Sequence, residues 1–136
     1  MLTNRSIPQA GVIPVIPYPD VPVATKWLCE AFGFTPRILM GSHRAQLNVG
    51  EAAVVLSEQL ASSPQGKSST LVRVASVDDH YEQACRHGVR ILRDPADYPY
   101  GERQYQVEDF AGHLWTFSES IADVAPESWG GVAGVL

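Results

Sequence analysis

The stretch YGERQYQVEDFAGHLWTFSE, residues 100–119, carries the strongest structural signal in the chain. Tyr105 and Val107 alternate with Gln104, Gln106 and Glu108, the two-residue period of a half-buried strand. Asp109, Ala111 and Gly112 then supply turn residues before a second strand from Leu114 to Ser118. The local reading is a β-hairpin. If Thr116 points to one face, Leu114 and Ser118 share it, and Trp115 and Phe117 lie beneath a helix as core.

Working outward, the hairpin closes the second of two similar halves. The first half reads as a strand (Val12 to Ile16), a helix from Asp20-Val21-Pro22 to about Phe32, a Gly33 exit, and strands at Thr35 to Met40, Arg44 to Val49 and Ala53 to Ser57. The second reads as a strand (Leu71 to Ala75), Asp78-Asp79, a helix to about His87, a Gly88 exit, and strands at Arg90 to Arg93, Arg103 to Val107 and Leu114 to Ser118. Asp20 and Asp78 are expected to cap the helices, because a carboxyl oxygen accepts from free first-turn amides, and Gly33 and Gly88 suit the left-handed stop. Val23, Trp27, Leu28 and Ala31 form the expected apolar stripe of the first helix, and Tyr81, Ala84 and Cys85 that of the second. The pattern predicts one α+β domain over residues 1–136: module one at about 11–60, a small, polar linker at 61–69, module two at about 70–120 and a tail at 121–136 that docks through Trp129 or frays.

With 136 residues, 45% hydrophobic and 18% charged, the chain has the balance of a globular domain. A net charge of −5 without a basic stripe argues against nucleic acid as a partner. No apolar run approaches the roughly 20 residues that span a bilayer, so no membrane partner and a cytoplasmic location are expected. Cys29 and Cys85 fall in different halves and read as buried, reduced thiols; the neighbours Arg86 and His87 lend Cys85 only weak support as a reactive group. His43, His80, His87 and His113 read as exposed or capping, and Asp94, Asp97, Glu102 and Asp109 as solvated turn carboxylates, so spacing picks out no acid–base pair. Phosphate loop, serine elbow and HExxH motifs are absent.

The hairpin and the duplicated strand–helix–three-strand order resemble the glyoxalase/bleomycin-resistance/extradiol-dioxygenase superfamily, also called vicinal oxygen chelate proteins, over residues 12–119. In that superfamily Asp-Pro-x-Gly leads into the last strand; here Phe110 replaces the proline. The resemblance implies two tandem βαβββ modules forming curved mixed sheets around a cup-shaped cleft, and a homodimer. In metal-dependent members a glutamate four residues past the turn glycine binds the ion, which lands on Thr116 here. The other ligand positions fall at about Ile13, Val55 and Val72. None is a strong ligand for a divalent ion, so neither a metal nor a cofactor is expected. Glu58 and Glu119, at equivalent strand ends, read as solubilising charge rather than a displaced ligand pair.

Polar side chains on apolar strands are the candidate ligand-binding residues: Arg44, Gln46, Arg73, Arg103 and Gln104, with Thr116 from the resemblance and Tyr100, beside Tyr98, as an aromatic rim. Trp115 reads as core, with a stacking platform as its alternative. The resemblance and the emptied ligand set together point to a metal-independent small-molecule-binding protein, of the kind that sequesters an antibiotic. A divalent-metal-dependent lyase, isomerase or dioxygenase stays open, as do a metal-free enzyme using Arg103 or Tyr105 and a non-catalytic dimeric scaffold.

Overall fold

The structure, a computed structural model, describes residues 2–61 and 66–135; part of the expected linker, 62–65, lies outside the described residues. The chain divides into two compact units, residues 1–68 and 69–136. Unit one contains β1 (Val15–Tyr18), α1 (Val21–Phe32), β2 (Thr35–Met40), β3 (Arg44–Val49) and β4 (Ala52–Glu58). Unit two contains β5 (Ser69–Arg73), α2 (Val77–Arg86), β6 (Arg90–Tyr98), β7 (Glu102–Glu108) and β8 (Leu114–Ser120), followed by a short 3-10 turn at Pro126–Trp129. Each unit is one βαβββ module with a four-stranded mixed sheet, ordered β1-β4-β3-β2 and β5-β8-β7-β6. The first strand of each runs parallel to the last, and the other neighbours are antiparallel.

In unit one, alternation along the strands sends Ile16, Ala45, Leu47, Val54 and Leu56 to one face, all buried, and α1 packs on β3 and β4. Asp20 caps α1 as expected, accepting from the Val23 amide at 3.1 Å, and Gly33 ends it at φ 78°. The stripe that α1 buries is Val21, Ala24, Thr25, Leu28, Ala31 and Phe32, a rotation from the expected one that leaves Val23 exposed. Thr25 tolerates burial because its hydroxyl donates to the Val21 carbonyl at 2.8 Å. Trp27 is half-buried with its ring edge-on to Phe32, at 5.2 Å between centroids. β1 starts three residues later than expected, at Val15, since β4 reaches it only from Val55, whose amide donates to the Pro14 carbonyl.

In unit two, α2 is capped not by Asp78 but by Ser76, whose hydroxyl accepts from Asp79 N–H, and Glu119 at the end of β8 accepts from Val77 N–H at 2.8 Å. Glu119 therefore closes a helix end rather than merely adding charge, while Asp78 and Asp79 complement the helix dipole. α2 buries Val77 and Ala84; Tyr81 is half-buried and Cys85 exposed, because a two-turn contact leaves room for a narrower stripe than expected. Neither thiol is fully buried, and desolvation, then Glu30, pushes the Cys29 thiol up. β5 begins two residues early, at Ser69, because β8 supplies pairing partners from Leu114 onward. β6 continues to Tyr98 past an irregularity around Pro95, which has no N–H to give the ladder.

Candidate functional site

The face of sheet two that α2 covers is set by aromatic contacts. His80 lies over Phe117 at 4.0 Å between centroids and Tyr81 meets Tyr105 edge-on at 5.4 Å. Phe117, Trp115, Tyr105 and Val107 thus form the core, all fully buried. The Tyr105 hydroxyl pairs with His80 Nδ1, and burial pushes the phenol well above its ordinary range. Tyr105 is a packed core residue on the α2 side of the sheet, with its hydroxyl already engaged by His80. Nor are all the histidines exposed or capping: His80 is half-buried and His113 buried.

Register places the remaining strand residues on the far face, turned away from α2. There Gln106 faces Thr116, donating to its hydroxyl at 3.1 Å, and Gln104 faces Ser118, donating to it at 3.0 Å. The Ser118 hydroxyl passes the chain on to Glu102 at 2.7 Å, and Tyr100 donates to Gln104 at 3.0 Å. Arg73, in register with Ser118, donates to Ser120. Hydrogen bonds from Ser120 and Ser118 and the nearby Arg73 charge outweigh desolvation and pull the Glu102 carboxyl below its ordinary value. The far face of sheet two is therefore a row of neutral amides and hydroxyls with two charged groups, Arg73 and Glu102, at its end, joined through the Ser118 and Ser120 hydroxyls rather than by a direct ion pair. Along its rim Tyr98 and Tyr100 stack at 13° and 5.6 Å, and Trp129 from the tail stands edge-on to Tyr100 at 5.6 Å.

Four of the expected residues, Arg73, Tyr100, Gln104 and Thr116, are brought together in that row. Arg103 is not: it sits on the α2 side, where its guanidinium meets Asp78 and Asp97, each at 3.0 Å, and those two carboxylates raise its affinity for the proton. Period-two alternation separates it from Gln104 by a whole face. We expect Arg103→Met to lower the melting temperature by only a few degrees, because both partners are largely exposed, and to leave any ligand affinity within about twofold. A ligand affinity that collapses in calorimetry would return Arg103 to the site.

Gln46 and Arg44 belong to unit one. Gln46 is 3% exposed on the far face of sheet one, opposite Val55 and Ile38 in register, and Arg37 donates to its amide oxygen. Arg44 is exposed and borders a separate hollow of about 190 Å³ with Leu39, Gly41 and Lys26. Sequence reasoning missed Arg37 and Gln106. The strict alternation around Tyr105 already placed Gln106 with Gln104, whereas Arg37 reaches its face only through the irregularity between Pro36 and Ile38. Asp109 departs from the expected solvated turn carboxyl: it is 4% exposed and anchors Trp115, its Oδ2 accepting from the indole N–H at 3.0 Å.

Register also revises the ligand positions implied for a metal. Ile13 precedes β1 and Val72 is buried on the α2 side, so the first-strand residues beside Val55 and Thr116 are Val15 and Leu71. Three hydrocarbons and one hydroxyl do not fit a divalent ion. Among the described residues, no three His, Cys, Asp or Glu side chains are grouped where they would hold one. Nor, among the described residues, is any helix long and apolar enough to cross a membrane.

Comparison with known proteins agrees with this architecture. TioX from Micromonospora sp. ML1 is 29% identical, with a TM-score of 0.71 over 82% of this chain and 98% of that one. A glyoxalase/bleomycin resistance protein/dioxygenase from Nocardioides shares the fold at 18% identity and a TM-score of 0.69, over 98% of this chain and 93% of that one. Lactoylglutathione lyase from Agrobacterium tumefaciens does so at 15% identity and 0.67, over 82% and 94%. No curated protein sequence matches the chain. The family model of the Glyoxalase/Bleomycin resistance protein/Dioxygenase superfamily matches residues 11–117, through both βαβββ modules, and the chain belongs to that superfamily.

Proposed function

We propose that this chain is a metal-independent small-molecule-binding protein that holds a planar organic compound, such as an antibiotic, against the far face of sheet two. The observation that carries the reading is the Gln106–Thr116 pair: where metal-dependent relatives place an anionic ligand, this chain has a hydroxyl already engaged by an amide. Such a pair leaves the second Gln106 N–H and the Thr116 O–H as donors and the Gln106 amide oxygen as an acceptor for a neutral ligand, and carries no anionic group for a cation. Gln104, Tyr100 and Arg73 extend the row with further donors and acceptors, and the Tyr98–Tyr100 stack adds a flat apolar wall. In this reading the two units assemble into one domain, two chains into a cytoplasmic homodimer, and no cofactor takes part.

The test is calorimetry and thermal shift on chelator-free protein with a panel of planar antibiotics and, separately, divalent metals. An organic ligand is expected to raise the melting point in proportion to its affinity, and metals are not. Gln106→Leu is expected to weaken the organic ligand about tenfold, a loss of about 1.4 kcal/mol, with little change in stability because Gln106 is only half-buried. Stoichiometric metal by elemental analysis would overturn the proposal in favour of a metalloenzyme, the absence of stabilisation by any ligand would overturn it in favour of a scaffold, and undiminished binding in Gln106→Leu would remove the ligand from the far face of sheet two.

A further inference from the structure

In unit one the far face of the sheet is already occupied by the chain itself. Residues 4–7 form a turn, with the Ile7 amide donating to the Asn4 carbonyl at 3.3 Å and the Ser6 amide to Asn4 Oδ1 at 3.0 Å. That turn points its carbonyls at Arg37 and Gln46. Arg37 donates to the carbonyls of Arg5 at 2.8 Å and Ile7 at 3.3 Å, and Gln46 Nε2 donates to the carbonyl of Ser6 at 2.9 Å. The Arg37–Gln46 hydrogen bond locks the two readers together.

We propose that Arg37 and Gln46 form a subsite for three consecutive carbonyls of a turned amide backbone, which residues 5–7 occupy here and which a peptide-like ligand takes by displacing them. Three observations support it. First, the readers contact main-chain oxygens, so recognition does not depend on the side chains of Arg5, Ser6 or Ile7. Arg37 makes no ion pair among the described residues; its forked donors are spent on neutral acceptors, which suits an uncharged amide-rich ligand. Second, the hydrogen bond from Arg37 to the Gln46 amide oxygen does not involve residues 5–7, so it orients the two donors toward each other whatever occupies the subsite. Third, a hollow of about 200 Å³ adjoins it, walled by residues 8–10 of the same segment, by Arg37 and Asn48, and by residues 51–53, where Glu51 adds an acceptor for further N–H groups of a longer amide ligand. The resident segment is held lightly: Ile7 is 51% exposed, and within residues 2–9 Pro8 alone is buried. A segment with so little buried apolar contact opens at low cost. The inference goes beyond the reading of sheet two and does not depend on it.

The resident turn competes with an added ligand at an effective concentration on the order of millimolar, so apparent affinity falls with the fraction of time the subsite is open. The experiment therefore uses the full chain and measures binding of an acetylated, amidated peptide copying residues 3–9, and of a second peptide in which the three positions corresponding to 5–7 are alanine. Asn4→Ala removes the side chain that shapes the resident turn without touching the subsite, and is expected to tighten peptide binding at least threefold. Arg37→Met is expected to weaken it about tenfold in either background, and Arg37→Lys, which keeps the charge and loses the fork, by an intermediate factor. The alanine peptide should bind within about threefold of the copy, and hydrogen exchange at the Ser6 amide should accelerate as peptide is added. Unchanged affinity in Asn4→Ala, indifference to both Arg37 variants, or loss of binding in the alanine peptide would each overturn the proposal.

Discussion

Asp109→Ala is expected to destabilise the protein by about 3–5 kcal/mol and to lower its melting temperature by about 10 °C or more. Asp109 is 4% exposed and sits at the head of the β7–β8 turn. Its Oδ1 accepts from the amides of Ala111 at 2.9 Å and His113 at 3.0 Å, and its Oδ2 from the Trp115 indole at 3.0 Å. Truncation orphans those donors, two of them on residues that are themselves buried, and an unsatisfied buried donor costs about 1–3 kcal/mol. Trp115 is fully buried, so its indole has no route to water. Asp109→Asn should fall between wild type and alanine, since one amide oxygen can serve the turn while the amide nitrogen faces the indole donor. Denaturant unfolding of both variants checks the order. A loss below about 1 kcal/mol in Asp109→Ala would show that the turn holds its shape without the carboxyl.

The second large effect is expected at Gly101. With φ at 86°, Gly101 occupies backbone space that strains an L side chain by about 1–2 kcal/mol. The greater obstacle is the tail: a Cβ there would lie 2.3 Å from the Ala122 carbonyl oxygen and 2.9 Å from Val124 Cγ2. Backbone cannot yield to that approach without breaking the bonds that Ile121 N–H, at 2.8 Å, and Ala122 N–H, at 3.2 Å, make to the Gly101 carbonyl. Gly101→Ala should therefore cost about 2–4 kcal/mol in all and release residues 121–129 from unit two. Trp129 would leave Tyr100, making the tail sensitive to limited proteolysis and shifting the part of the tryptophan emission that Trp129→Phe removes. Because Tyr100 also donates to Gln104, binding on sheet two should weaken with the tail's release. A Gly101→Ala protein whose tail resists protease as wild type does would refute the dependence of the tail's docking on the close approach at Gly101.

Polar residues at the centre of a sheet normally cost stability unless each finds a partner, and here they do so in pairs across the strands. Among the described residues, no buried side-chain nitrogen or oxygen lacks a hydrogen-bond partner. A row of this kind is therefore permissible in the fold without any ligand, and a ligand must compete with, or add to, bonds already made. That is why the two sheet faces lend themselves to different tests. Sheet two has spare valences on Gln106 and Thr116. Sheet one has its donors filled by the chain's own carbonyls.

Much of the architecture was legible in the residues. Period-two alternation in 104–108 and 114–118 named the last hairpin and assigned Trp115 and Phe117 to the core, since a strand has only two faces. Asp20 and Gly33 marked the limits of α1 because capping chemistry is local. The repeat named two βαβββ modules because each must bury one helix stripe on one sheet. What tertiary structure alone decided were matters of register and of distant partners. Ser76 and Glu119 capped α2 in place of Asp78, because Glu119 arrives from a strand 42 positions away. Arg103 turned to Asp78 and Asp97, and Asp109 went inward to an indole, because a carboxyl or guanidinium on a turn or strand is neutralised by whatever the fold sets beside it. Arg37 became a reader of carbonyls through an irregularity in pairing and a turn formed some 30 residues earlier, contacts that no local pattern encodes.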